Sequence, residues 1–440
     1  MKKTAPLDFS HPPETIKFWK RLVREALSLS TPTPFYIASA LPVAERIAEL
    51  DEALANAGFR TEARNLKSET GFRHWLSLKT QPVAPLVRWW RDQGRPIEVV
   101  SEFELRAALA EGYAPENILV NGPVKHSWLT RFQNEAKRAG SETGAPAGLS
   151  INFDSPEEME ALLPLAKKLD WRCGVRILTD EEVDPENPQF PTQFGFTPEE
   201  AVAALKKLVK SNVRVEIVQF HLRSNISSVA VYERAIAQVA EICHAAKFSP
   251  LYLDIGGGIP VRHVLSRSNK IYDGEFGLRS FAQMLRQAVK SFPGLREVWL
   301  ENGRFTSASS GVLVVKILDV KERRGLRQLI CDGGRTMNAM NSIWEQHALL
   351  PLAEHTGVTT LTTIYGPTCM AFDQLNRIPL PRSLQAGDHL IWMEAGAYHI
   401  PWELRFSHGH AAVMWQDERG LRMARERQSF ESFWGVWNSF

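Results

Sequence analysis

Between residues 72 and 301 the chain switches again and again from a short apolar, β-branched run to a longer stretch of helical periodicity. This alternation restricts the fold more than any other feature. Strands are predicted at 72–79 (FRHWLSLK), 97–100 (IEVV), 118–121 (ILVN), 148–152 (GLSIN), 173–178 (CGVRIL), 215–222 (VEIVQFHL), 251–255 (LYLDI) and 297–301 (EVWLE). The helices between them carry start signals. Ser101 is followed three residues later by Glu104, the spacing of a capping box. Ser155 and Thr197 are each followed by a proline at the first helical position and a glutamate at the third, Glu158 and Glu200. Eight buried-looking strands alternating with amphipathic helices predict an α/β chain built on a parallel (β/α)8 TIM-type barrel, with an open parallel sheet as the competing arrangement.

The texture changes after residue 305. SGVLVVKILDVKERRGLRQLICDGG reads as two strands joined by a turn, AGDHLIWM and HAAVMWQD read as further strands, and no long helix alternates with them. A C-terminal antiparallel β domain is expected at 305–440, a barrel at 42–304, and an N-terminal segment at 1–41 that packs with the β domain. The closing ESFWGVWNSF is aromatic and short, which suits packing on this domain or on a partner.

Composition removes several function classes. With 44% hydrophobic and 23% charged residues and a formal net charge of +2, the chain has no basic footprint for nucleic acid. No segment approaches the apolar length of a membrane span, and the two lysines at the start precede no apolar core of a secretory signal. Cys173, Cys243, Cys331 and Cys369 lie far apart, which argues against a disulfide framework or a zinc site and for a cytoplasmic protein. His408 and His410 in SHGH alternate on a predicted strand but lack a third ligand nearby, so no metal is expected.

In such barrels the chemistry sits at the C-terminal ends of the strands, often with a phosphate site after the seventh and eighth. Lys79 ends the first predicted strand, His221 the sixth and Glu301 the eighth, while Gly256, Gly257 and Gly258 follow the seventh. Each has a plain reading: a solvated lysine, a core histidine, a carboxylate paired with Arg304, a tight turn. The functional reading takes them together. Lysine forms a Schiff base with an aldehyde, histidine stacks on an aromatic ring, a carboxylate pairs with a basic ring nitrogen, and glycine N–H groups hold a phosphate whose approach a Cβ would block. The ligand with all four properties is pyridoxal 5′-phosphate (PLP).

From TPTPFYIASA (31–40) to AGAYHI (395–400) the chain resembles the ornithine/diaminopimelate decarboxylase family, fold-type III PLP enzymes that join an alanine-racemase-like barrel to a β domain. The resemblance implies that Lys79 in SLKTQ holds PLP and that His221 in FHLRS stacks on it. It assigns the phosphate to Gly256–Gly258, the pyridine nitrogen to Glu301 in ENGR, and further cofactor contacts to Gly303, Arg304 and Tyr398. It makes Cys369 in YGPTCMAFD a residue that reaches across a homodimer interface into a shared active site, and names Cys369 or His221 as the proton donor. Glu301 favours decarboxylation of an amino acid at Cα over the alternative, a racemase or epimerase, because racemases of this fold place an arginine there.

The chain also departs from the family. Met370 follows GPTC where an acid usually receives the substrate's distal ammonium, although Asp373 three residues on is a second candidate. Arg223 replaces a glycine, either to bind a carboxylate or to point to solvent, and Asn302 replaces a proline. TMNAMNSIWEQHALL lacks the diaminopimelate signature. These departures predict a substrate other than diaminopimelate, with a neutral or acidic tail or tethered to a carrier protein.

Overall fold

The computed structural model describes residues 11–60, 70–138, 144–182, 192–266, 270–272, 274–341 and 343–438; the first ten residues of the expected N-terminal segment lie outside these. Helix α1 (Pro13–Ser28) leads to strand β1 (Phe35–Ser39) and helix α2 (Leu41–Asn56). The alternation then runs β2 (Gly71–His74), β3 (Leu76–Ser77), α3 (Ala84–Asp92), β4 (Ile97–Val99), α4 (Glu102–Ala110), β5 (Ile118–Val120) and α5 (His126–Arg138). It continues β6 (Ser150–Phe153), α6 (Pro156–Lys168), β7 (Arg172–Arg176), α7 (Pro198–Lys210), β8 (Arg214–Gln219), α8 (Val229–Ala246) and β9 (Tyr252–Asp254). After a short strand β10 (Leu265–Ser266) come α9 (Leu278–Ala288), β11 (Glu297–Leu300) and the short helix α10 (Gly303–Ser307).

The parallel sheet has the order β2-β11-β9-β8-β7-β6-β5-β4-β3. Its two edge strands are separated in the chain only by Trp75, whose N–H bonds Leu300 O (2.8 Å) while Leu76 N–H bonds Pro96 O on the other side (3.1 Å). The first stave is thus bent at Trp75 and pairs with both ends of the sheet, which closes the barrel without a free edge. The expected first strand stops at Ser77; Lys79 lies in the 3₁₀ turn Leu78–Thr80 that follows.

Successive residues on each stave face opposite ways. Val298 and Leu300 face the outer helices, whereas Trp299 faces inward with Trp75, Leu119, Ile217 and Tyr252. Trp299 stacks at 4.6 Å from Trp75 and 4.7 Å from Tyr252, so an aromatic layer fills the lower barrel. One pleat higher the inward residues are polar and buried: Glu98, Asn121, Asn152, Gln219, Asp254 and Glu301. Gly174 adds nothing to these layers because a Cβ there would sit 2.2 Å from Asn152 Oδ1 and 2.6 Å from Ile217 Cβ.

All three helix-start signals form caps, but only one is reciprocal. Thr197 Oγ1 accepts from Glu200 N–H (3.3 Å) and Glu200 accepts from Thr197 N–H (3.0 Å). Ser101 and Ser155 likewise accept from Glu104 and Glu158 N–H, both at 3.2 Å, but those glutamates send their carboxylates elsewhere. Glu158 accepts from the N–H groups of Lys125 (2.6 Å) and Asp154 (3.0 Å) and pairs with the Lys125 ammonium in a fully buried site.

The second sheet is built from β12 (Gly311–Arg323), β13 (Leu326–Cys331), β15 (Leu349–Pro351), β16 (Thr359–Tyr365), β17 (Gln374–Pro381), β18 (His389–Trp392), β19 (Ala412–Asp417) and β20 (Gly420–Arg425), while β14 (Glu345–Gln346) leaves it to pair with β10. Most pairs are antiparallel, as expected, but β13 runs parallel to β16. The N-terminal β1 is inserted between β12 and β19, antiparallel to the first and parallel to the second. Trp19, Leu22, Val23 and Ala26 of α1 pack on this sheet against Phe35, Ile37, Val312, Val314 and Met414. The terminal helix α11 (Phe430–Gly435) leaves Phe430 and Trp434 exposed, their rings stacked at 6.3 Å.

Candidate active site

Lys79 leaves the barrel rim just past β3. Its ammonium donates to both Glu98 oxygens at 2.8 Å, and Glu98 is buried inside β4. Burial by itself would favour the neutral amine, but Glu98, with Tyr398 and Glu301 farther off, raises the Lys79 pKa above its ordinary value. Glu104, whose carboxylate accepts from Val100 N–H (2.8 Å), is pushed up to about 7 by burial and by the charge of Glu98.

Glu301 lies across the mouth, held at Oε1 by Asn121 Nδ2 at 2.5 Å. Asn152 Nδ2 donates to Asn121 Oδ1 (3.0 Å) and to Asp254 Oδ2 (3.2 Å), and Gly256 N–H donates to Asp254 Oδ1 (3.0 Å). Two buried carboxyls that face each other do not both ionise. Burial and the Glu301 charge push Asp254 well above the carboxylate range, so it keeps the proton; Glu301, despite its own burial, is held below that range by His221 and Asp254. Of this pair of carboxyls, Glu301 therefore carries the charge, while Glu98 holds the charge that answers Lys79.

His221 stands over this layer with its Nδ1 3.2 Å from Gly257 N and 3.7 Å from Glu301 Oε2. Nδ1 thus lies between a backbone N–H and the Glu301 carboxylate, and its longer approach to Glu301 is a charge contact rather than a short hydrogen bond.

The glycines have a reason the sequence does not display. Cβ atoms at Gly256, Gly257 and Gly258 would lie 2.5 Å from His221 Nδ1, 2.8 Å from Glu301 O and 2.7 Å from Tyr232 Oη. Gly256 and Gly258 also have φ of +62° and +115°. The triplet is thus required by close packing of its own chain. Of its N–H groups, those of Gly256 and Gly257 are spent on Asp254 and His221, and that of Gly258 has no acceptor among the described residues. Gly303 is equally constrained: a Cβ would meet Thr80 Cγ2 at 2.4 Å and Ser77 Cβ at 2.9 Å, against the turn that carries Lys79.

Tyr398 is fastened to the same turn by its N–H to Thr80 O (2.8 Å) and has φ +66°. The Arg304 guanidinium lies 4.7 Å over its ring and bonds both oxygens of the buried Glu345 (2.8 and 2.9 Å), which also pairs with His347 at 3.0 Å. Both bonds come from Nη1, while Nε is buried without a partner among the described residues. Arg223 is half-buried and donates to Glu181 O (3.0 Å), which ties it to the loop after β7.

Cys369, Met370 and Asp373 occupy the loop between β16 and β17. Cys369 is exposed, and Met370 is half-buried. Asp373 is buried, and its carboxylate accepts from Arg335 N–H (2.7 Å), Thr368 N–H (3.0 Å) and Thr368 O–H (2.6 Å). It thus ties its loop to the turn that carries Arg335, with three donors placed on its two oxygens. His410 of SHGH receives a hydrogen bond from Arg405 Nε (3.3 Å).

Sequence reasoning passed over Glu98, Asn121, Asn152 and Asp254. The signal was present: each is polar and stands in, or directly after, an apolar barrel strand at the inward parity.

Residues 59–308 match the model of a family described as "Pyridoxal-dependent decarboxylase, pyridoxal binding domain". Among curated proteins, a diaminopimelate decarboxylase of Zymomonas mobilis is 26% identical over 83% of each chain. A lysine/ornithine decarboxylase of Selenomonas ruminantium is 23% identical over 90% of this chain and 92% of its own. Among solved structures, diaminopimelate decarboxylase from Helicobacter pylori complexed with L-lysine superposes with a TM-score of 0.77 at 21% identity, covering 94% of this chain and 99% of the other.

Proposed function

We propose, from the premise that this chain belongs to the pyridoxal-dependent decarboxylases, that it removes the α-carboxylate of an amino acid lacking a cationic tail, with Lys79 as the cofactor-holding lysine. A racemase is not favoured, since the matched family and the similar curated proteins are decarboxylases. The observation that carries the assignment of roles is the buried, ionised Glu301 in the same barrel mouth as Lys79.

The residues present fit PLP. An amine, the buried Glu301 carboxylate, an imidazole and the unspent Gly258 N–H converge at the strand ends, and the amide Nδ2 of Asn302 is buried there without a partner among the described residues. When bound, PLP supplies the electron sink for the pair left by the departing carboxylate.

The chain's own groups prepare the rest. Glu301 would hold the ring nitrogen of bound PLP; Asn121 and the proton on Asp254 keep it ionised and in place. The His221 imidazole, held by Gly257 N–H, would cover one ring face. Lys79 must lose a proton before its nitrogen attacks, and Glu98, bonded at 2.8 Å, is placed to take it. Cys369, exposed on the β-domain loop, is assigned to the site of a second copy in a homodimer, where its thiol or His221 delivers the proton to Cα.

The tail preference follows from the same loop. Met370 offers no charge, Asp373 is already engaged by Arg335 N–H and by the N–H and hydroxyl of Thr368, and an unpaired ammonium would be costly to desolvate. A neutral or acidic tail, or one tethered to a carrier protein, answers this loop. Relatives named diaminopimelate decarboxylase supply the opposing expectation. Purified protein with PLP is assayed for CO₂ release against diaminopimelate, lysine, ornithine and neutral, acidic and carrier-bound amino acids. Rapid turnover of any of the first three overturns the tail assignment. Washout of deuterium from Cα without CO₂ overturns decarboxylation.

A further inference from the structure

The family resemblance expects proline at the second position of ENGR, and this chain has Asn302. Its side chain is only 3% exposed. Its Oδ1 accepts from Ile259 N–H at 3.4 Å, the first residue past the glycine triplet. That donor settles which way round the amide lies, because a flipped amide would set its NH₂ against the Ile259 N–H. The other end of the amide, Nδ2, is buried and has no hydrogen-bond partner among the described residues. An amide NH₂ shut away from water without an acceptor is costly, and native chains seldom retain one without a use for it. The neighbouring donor, Gly258 N–H, is likewise unspent.

We propose that Asn302 is a phosphate-binding residue: its Nδ2 donates to a phosphate oxygen of PLP while its Oδ1 holds the exit of the glycine loop in register. The inference rests on the placement of the phosphate at Gly256–Gly258 proposed above. Asn302 thereby adds a side-chain donor that a proline at this position cannot provide.

The test compares PLP with pyridoxal, which keeps the aldehyde and ring but has no phosphate. Binding of each is followed by absorbance on the purified full-length protein and on Asn302→Asp, which preserves the shape and the acceptor for Ile259 but replaces the donor with an oxygen. The expected result is a PLP affinity weakened by about tenfold or more, with pyridoxal affinity unchanged within about twofold. Asn302→Pro is the second variant. The native φ of −75° suits proline, which removes the donor without adding a negative charge and also removes the weak acceptor for Ile259 N–H; a smaller loss, confined to PLP, is expected. Equal losses for PLP and pyridoxal, or an unchanged PLP affinity in both variants, overturn the proposal. If wild type forms no borohydride-reducible adduct on Lys79, the assignment of the cofactor site fails instead, and the two failures are distinguishable.

Discussion

The barrel mouth and the loop between β16 and β17 treat their polar residues differently. In the mouth, polar side chains from separate barrel strands answer one another: Lys79 with Glu98, and Glu301 with Asn121, which lies 180 residues away in sequence. In the loop, Asp373 is answered by Thr368 and by the backbone of Arg335, and Cys369 is presented to solvent. The inner half is a finished electrostatic device within one chain. The outer half is a loop tied down through Asp373 that leaves Cys369 exposed.

Replacing Lys79 by Ala should sharpen the contrast most. Turnover should drop on the order of 10⁴-fold or more, and the borohydride-sensitive absorbance should vanish while the far-ultraviolet dichroism stays. Glu301→Gln comes next, with an expected loss of about 10²–10³-fold in kcat and retained cofactor. A variant that kept wild-type kcat would break the claim that the Glu301 charge organises the mouth.

For the outer half, Met370→Glu should raise kcat/KM on lysine or ornithine by about tenfold, because it restores an acid to the loop. Asp373→Ala should act on stability instead. It strands three donors and should cost about 2–3 kcal/mol in a urea titration. An unchanged urea midpoint with a raised KM would show that Asp373 serves the substrate after all.

The smallest effect is a pH slope. His399 is fully buried, and burial together with the neighbouring His347 lowers its pKa from 6.5 to about 3. The unfolded chain therefore binds this proton below about pH 6.5 and the folded chain only near pH 3, so stability is lost as pH falls through that window. His399→Asn should flatten the dependence of the urea midpoint on pH by about one proton there. A parallel curve would place the acid sensitivity elsewhere.

Much of the fold was legible because it follows from local rules. Alternate pleats and first-turn caps depend on near neighbours, so every barrel strand and the Thr197 capping box could be read directly. Strand β1 was not legible as a partner of β12 and β19, because pairing across nearly four hundred residues leaves no mark on five apolar residues. The glycine triplet was legible as a constraint but not as to cause: its crowding comes from His221, Tyr232 and Glu301, which only the closed barrel brings near.

By itself, then, the sequence determined that Lys79, His221 and Glu301 fall just past the C-terminal ends of barrel strands. Tertiary structure alone decided which carboxyl keeps the proton, which N–H groups stay unspent, and that Asp373 is engaged by Thr368 and Arg335. The physical reason is one of range. Side-chain parity repeats every second residue, whereas desolvation and hydrogen-bond pairing depend on distances that exist only once the barrel has closed.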